Sequence, residues 1–350
     1  LDTRVFPFVD HMKLLRSILE QRPFWLWLLA VVLCLQCLGM ARPLLSKDGS
    51  HVYRYATKQV DLEQSHEADA ANALNALISG TADASIMTGF VDKDPSQVDQ
   101  RRQERFWKID RGIGIFLCLL ACLVIAWPGR SRVTIVGLVF AAVFIVVDAC
   151  CATLIAGKAF SDLSLPSMAT RVAAPLGMAL GIGFTRRQSQ GSADGQREPR
   201  NAWQPWPKGP TRSLDLLLRW SLAITFCAHG YKAVQGHAPF RDLISLSSRR
   251  IGLSLDETTI SGLLTVIGWQ DILLAITIVL LRTRWLLWWL GAWGIITAFS
   301  RMTAMGLGVY DLTMLRAANG GLALVLLSFW QWQSLQNPEL NKLETKGITQ

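Results

Sequence analysis

Charge is sparse in this chain: Asp, Glu, Lys and Arg make up 17% of its 350 residues, against about a quarter in an average soluble domain. That argues against a secreted globular enzyme and against a DNA-binding domain. Histidine is scarcer still. Of five, only His229 falls in an apolar run, so the paired axial ligands of a transmembrane b-type haem are missing. His66-Glu67 is followed by Ala70 where a zincin places its second histidine, and no G-x-x-x-x-G-K-[ST] loop occurs. Neither a zinc protease nor ATP-driven transport by this chain alone is indicated, and no haem or metal is expected. None of the seven cysteines lies outside an apolar run, which excludes a secreted disulfide framework.

What is present is apolar: 51% hydrophobic residues and fourteen Trp. Runs of about 16 to 22 residues recur, close to the ~20 that a helix needs to cross a bilayer. Eight candidate spans fall at about 24–40, 113–128, 133–157, 172–185, 213–232, 260–281, 285–303 and 312–330. The expected fold is therefore an all-α membrane protein, with the lipid bilayer as its immediate partner. The net charge of +9 sits mostly in the connections, where retention of Lys and Arg on the cytoplasmic side sets orientation, so nucleic acid is not an expected partner. Lys13, Arg16 and Arg22, then Arg130 and Arg132, then the basic linker after residue 185, then Arg282 and Arg284, all fall on one side of an eight-span chain. Trp25, Trp27, Trp127, Trp220, Trp285, Trp288, Trp289, Trp330 and Trp332 lie near that same boundary, where indole rings favour the headgroup level. Both termini are expected in the cytoplasm and the protein in the cell inner membrane. One basic cluster, Arg101, Arg102, Arg105, Lys108 and Arg111, falls on the external side, in a loop long enough for the charge rule to weaken. Met12-Lys13 reads as a natural start. Residues 13–39 have the layout of a signal sequence, but no small-x-small cleavage site follows, and a retained first helix is expected.

The spans divide into two halves of one plan: out, a longer external loop, back, a tight basic turn, out, a shorter loop, and in. The expected organisation is a cytoplasmic N-terminus at 1–23, a first four-helix unit at 24–185 with an external insert at 41–111, and a flexible cytoplasmic linker at 186–212. A second four-helix unit at 213–331 and a cytoplasmic tail at 332–350 complete it. Together these are two parallel four-helix bundles. Trp27, Leu29, Ala30 and Cys34 match the spacing of Trp220, Leu222, Ala223 and Cys227, and Arg130-Ser131-Arg132 parallels Arg282-Thr283-Arg284. Such matches fit a duplicated unit and also a convergent layout. In the insert, Leu74, Leu77 and Ile78 among alanines predict a small helical cap.

Ionisable groups inside spans are costly, so each is a candidate for function. His229, Asp271, Arg301 and Arg316 all fall in the outer half of the second unit, with Lys232 closing its first span. Asp271 needs a proton or a counter-charge, and Arg316 or Arg301 is placed to supply the charge. A structural ion pair or snorkelling side chains account for the same residues. Asp148 is the acid of the third span. Cys34-Leu35-Gln36-Cys37 has C-x-x-C spacing near the expected external end of its helix, as a thiol relay to a quinone requires. Cysteine as a small apolar core residue is the competing reading.

Between about residues 212 and 330 the chain resembles the DoxX-like family of four-helix membrane proteins, which includes the DoxD-type subunit of thiosulfate:quinone oxidoreductase. The residues carrying the resemblance are Arg219-Trp220 and Phe226-Cys227-Ala228-His229-Gly230-Tyr231-Lys232, then Pro239-Phe240-Arg241-Asp242-Leu243-Ile244, then Ile267-Gly268-Trp269-Gln270-Asp271. At the last position the family usually has Glu. The first half lacks the His-Gly-x-Lys signature and an acid in its second span, like a diverged scaffold copy. The resemblance implies a subunit coupling a small sulfur or thiol reductant to the quinone pool, alongside other membrane or periplasmic redox subunits. Asp271 would hold a proton, His229 a ligand hydrogen bond, and Arg316, Arg301 and Lys232 an anion or a quinone oxygen. The alternative is a non-enzymatic carrier or an assembly factor for a membrane complex.

Overall fold

The computed structural model describes residues 23–46, 49–57, 97–126, 132–155, 161–190 and 208–336. The expected N-terminal flank, the cap around Leu74, most of the linker and most of the tail lie outside the described residues. Among the described residues every regular element is helical.

The first half holds α1 (Phe24–Leu45), a short α2 (His51–Thr57), α3 (Gln97–Ala126), α4 (Arg132–Leu154), a brief α5 (Ser164–Ser167) and α6 (Ala169–Gln190). The second half holds α7 (Lys208–Val234), α8 (Ala238–Arg250), α9 (Glu257–Leu280), α10 (Arg284–Met305), a short α11 (Tyr310–Leu315) and α12 (Ala317–Gln336). Three of these differ from the expected spans. The first helix runs on past residue 40 because Met40, Ala41 and Leu44 continue its apolar pattern, and Ala41 and Leu44 are buried. Cys34 and Cys37 therefore stand mid-helix rather than near an end. The third helix begins at Gln97, so the basic cluster expected in a loop is helical. Gln, Arg, Glu and Lys are good helix formers, and Arg111 stacks over the Trp107 ring. That extension also brings Asp110 into the helix, so the first half does have an acid on its second long helix. Finally, the last expected span is broken at Arg316 (φ −96°, ψ 4°), with a 47° bend between its two parts.

Four helices, α1, α3 from Gln103, α4 and α9, are long and apolar enough to cross a membrane, and the bent α11–α12 pair makes a fifth if taken as one span. Exposure on them supports that reading. Leu119, Val133, Val136, Val266, Leu273 and Leu280 are each at least 60% exposed, and apolar faces of this size on a folded chain mark contact with lipid or with another protein.

Contacts follow the same order in both halves. α1 packs on α3 as α7 packs on α9, and α4 packs on α6 as α10 packs on α12. The short α2 lies on α4, and α8 lies on α10. Across the halves, α6 lies on α7 and α12 on α1. The core forms where these four meet: Leu29, Leu33, Met178, Leu218, Leu222, Leu326 and Phe329 are at or near zero exposure. Glycine sets the closest crossings. A Cβ on Gly230 would lie 2.6 Å from the Gly268 carbonyl oxygen, and one on Gly268 equally near the Gly230 oxygen. So α7 and α9 meet backbone to backbone, the arrangement that small residues allow between membrane helices. Gly294 and Gly320 do the same for α10 and α12.

The two ends of the molecule differ. At one end Trp25 packs on Phe329 and Trp332, Arg282 and Arg284 donate to Gln333 and Ser334, and Trp285, Trp288 and Trp289 are exposed. The same region holds Arg219, which donates to the Ile278 and Val279 carbonyls in the last turn of α9 and pairs with Asp215. It therefore caps a helix C-terminus. Toward the other end, Arg42 pairs with Asp311, donates to the Gly308 carbonyl and stacks on Tyr310, joining α1 to the broken segment of the second half.

Candidate functional site

The close crossing of α7 and α9 at Gly230 and Gly268 puts Gly230, the residue after His229, against Asp271, one turn along α9. Around them lies a cavity of about 350 Å³, within the ~300–1,000 Å³ typical of small-molecule sites. His229, Asp271, Arg301 and Arg316 all line it. Its remaining wall is largely apolar: Phe226 from α7, Leu243 and Ile244 from α8, Leu264 and Ile267 from α9, and Ile296 from α10. The short α8 follows His237 at its N-cap, carries Pro at its first turn and covers one flank, with Phe240 edge-on to the His229 ring at 6.2 Å.

Asp271 is 6% exposed. Its Oδ1 accepts a hydrogen bond from the Trp293 indole at 2.7 Å. The expected pairing with Arg301 or Arg316 is not formed: among the described residues no ion pair involves Asp271. The reason is local. Trp293 stands on α10 facing α9 and takes the carboxylate first, while the break after α11 turns Arg316 back to its own helix, where Nη1 donates to the Leu312 carbonyl at 3.0 Å. Arg301 keeps a buried Nε without a hydrogen-bond acceptor.

Lys232 does not line the cavity. Its Nζ donates to the Ser167 hydroxyl at 2.8 Å, bridging to the first half just before α6. The same junction holds Asn319, a cavity residue whose Oδ1 accepts from the Thr170 hydroxyl at 2.8 Å; the Thr170 N–H donates in turn to Thr225. Next to Thr170 is Arg171, 7% exposed, with an unpartnered Nε and close enough to Arg301 and Arg316 to repel both.

Cys34 and Cys37 lie elsewhere. Cys37 is buried in the shared core, Cys34 is half-buried against it, and their neighbours are Cys118 and Cys122 of α3. None of the seven cysteines lines the cavity. Asp148 also has another task. It accepts from the His51 and Val52 N–H groups and faces His51 Nδ1 at 2.9 Å, while Asp110 accepts from the Ser50 N–H and hydroxyl. Two carboxylates from α3 and α4 thus satisfy the open N–H groups at the start of α2.

Sequence reasoning missed Trp293, Asn319 and Arg171 as members of this region. Trp293 carried a signal: it stands a turn beyond the Trp285–Trp289 group, too deep for the headgroup level, and an indole N–H at that depth needs an acceptor. No group of three or more His, Cys, Asp or Glu side chains among the described residues is arranged to hold a metal. Compared with protein-family models, curated proteins and solved structures, the chain matches none.

Proposed function

We propose that the chain is a multi-pass inner-membrane protein of eight spans with both termini in the cytoplasm, built from two four-helix units, the second of which binds a lipid-borne ligand. The observation carrying this reading is the cavity itself, apolar on most of its wall and edged by His229, Asp271, Arg301 and Arg316. The identical order of helix contacts in the two halves supports duplication. Arg282, Arg284 and exposed Trp residues grouped at one end, away from the cavity, support the orientation.

With the DoxX-like motif residues taken as a guide, the ligand is a quinone and the chain a membrane subunit through which a sulfur or thiol reductant reaches the quinone pool. Asp271 would hold the proton, held in place by Trp293, and His229 would hydrogen-bond the ring oxygen. The distance of Cys34 and Cys37 from the wall favours a second reading, in which the cavity binds its ligand without redox chemistry and the chain acts as a carrier or accessory factor. Purification in mild detergent followed by quinone extraction separates the two. Retained quinone, together with reduction of a short-chain quinone by a thiol or sulfur donor that Asp271→Asn abolishes, supports the redox subunit. Absence of both, with a solute flux or a bound partner lost in the same variant, replaces it with the carrier or accessory reading.

A further inference from the structure

Counting charges around the cavity gives an imbalance. Arg301 and Arg316 line it, Arg171 stands within repelling distance of both, and Lys232 adds a fourth cation close to Arg171 and Arg316. Asp271 is the one carboxylate on the wall, and it is engaged by Trp293. Asp148 is near Arg171 but is bonded to His51. Among the described residues no ion pair reaches any of these four cations.

Hydrogen bonding is short in the same place. A guanidinium carries five donors, yet Arg316 has the single bond to Leu312, and the buried Nε atoms of Arg301 and Arg171 have no acceptor. Cations inside a membrane protein that lack a counter-ion are strongly unfavourable unless an anion completes them. Arginine, with its fork of donors, suits a carboxylate or phosphate. The apolar lining, with Leu243, Ile244, Leu264 and Ile267, offers such a head nothing and an alkyl chain a great deal.

We propose that Arg301 and Arg316 bind the oxyanion head of an amphiphile, a phosphate or carboxylate on an alkyl tail, with the tail against α8 and α9 and with Arg171 of the first unit adding its charge from behind. This rests on the cavity being a ligand site, takes the second, non-redox reading of it, and specifies the ligand's charge. The site is then complete only with both halves present, because Arg171 is the first half's contribution.

The full-length chain in phosphatidylcholine nanodiscs is titrated by calorimetry with dodecyl phosphate, with laurate, with dodecanol as the uncharged counterpart, with inorganic phosphate and with decylubiquinone. Saturable binding of dodecyl phosphate or laurate at least tenfold tighter than dodecanol is expected, and the stronger of the two names the head. Arg301→Gln and Arg316→Gln should each weaken that binding tenfold or more. Arg171→Gln should weaken it less, and Arg250→Gln, outside the cluster, should leave it unchanged. Asp271→Asn, which keeps its size while losing an acid, should bind the anion as tightly or tighter. That variant keeps the test decisive if an arginine variant fails to fold. Equal affinity for dodecanol and the charged amphiphiles, or for decylubiquinone alone, overturns the proposal and leaves the ligand-site reading standing. Inorganic phosphate binding as tightly as dodecyl phosphate overturns the lipid tail. No binding of any probe overturns both.

Discussion

Single side chains in this protein are explained by where their hydrogen bonds go. Trp293 holds Asp271, so Trp293→Phe leaves a buried carboxyl oxygen without its donor, a loss of about 1–3 kcal/mol. The expected readout is a lower thermal midpoint in detergent, and because Asp271→Leu removes the acceptor, Asp271→Leu combined with Trp293→Phe should lower it by less than the sum of the two. Full additivity of the two changes would show that the bond contributes nothing. Arg219 serves two carbonyls at the end of α9, pairs with Asp215 of α7 and lies near the Trp330 ring. Arg219→Leu should destabilise the fold more than Arg219→Lys, since Lys retains a donor for those carbonyls but loses the planar fork. A circular-dichroism melt giving the two variants equal midpoints would contradict that account. The acids and cations within apolar runs were legible as candidates because the cost of such groups in lipid singles them out. Their partners were not, since an indole on one helix and a carboxyl on another carry no mark of adjacency in the chain.

At the scale of elements, glycine decides which helices touch. With backbone atoms 2.6 Å from any added Cβ at both Gly230 and Gly268, Gly268→Leu must push α9 off α7. Overpacking of this kind costs about 1–3 kcal/mol, and here it shifts the two helices that carry His229 and Asp271 to the cavity wall, so ligand binding at the cavity should fall with stability. A variant that melts lower yet binds at full affinity would detach the crossing from the site. Gly262, by contrast, faces open space, and Gly262→Ala should be neutral or slightly stabilising because alanine favours the helix. The start of α2 depends on Asp110 and Asp148 in the same way that a helix depends on its cap. Asp148→Ala should raise amide exchange at 51–57 while leaving exchange in α9 unchanged. Helix existence followed from apolar run length; the early start at Gln97 did not, because a run of polar helix formers looks like a loop when only hydropathy is read.

The whole molecule joins its halves through α6 on α7, α12 on α1, and polar ties from Thr170 to Asn319, Lys232 to Ser167 and Arg42 to Asp311. Arg42 is 43% exposed, so a double-mutant cycle on Arg42 and Asp311 should return a coupling below about 1 kcal/mol, with the apolar core carrying the association. Orientation has its own test. A cysteine placed at Thr283 in a cysteine-free background should react with an impermeant maleimide only from the cytoplasmic face, and labelling from outside would overturn the proposed eight-span arrangement. By itself the sequence determined the helical class, the presence and approximate place of long apolar helices, and which ionisable residues fall within apolar runs, because these follow from composition and from hydropathy along the chain. Only the tertiary structure decided that Trp293, rather than an arginine, takes the Asp271 carboxyl, that Cys34 and Cys37 do not line the cavity, and that Arg171 of the other half comes near Arg301 and Arg316. Such pairings are set by helix crossings at small residues and by a break in the last helix, and a linear pattern of hydropathy contains neither.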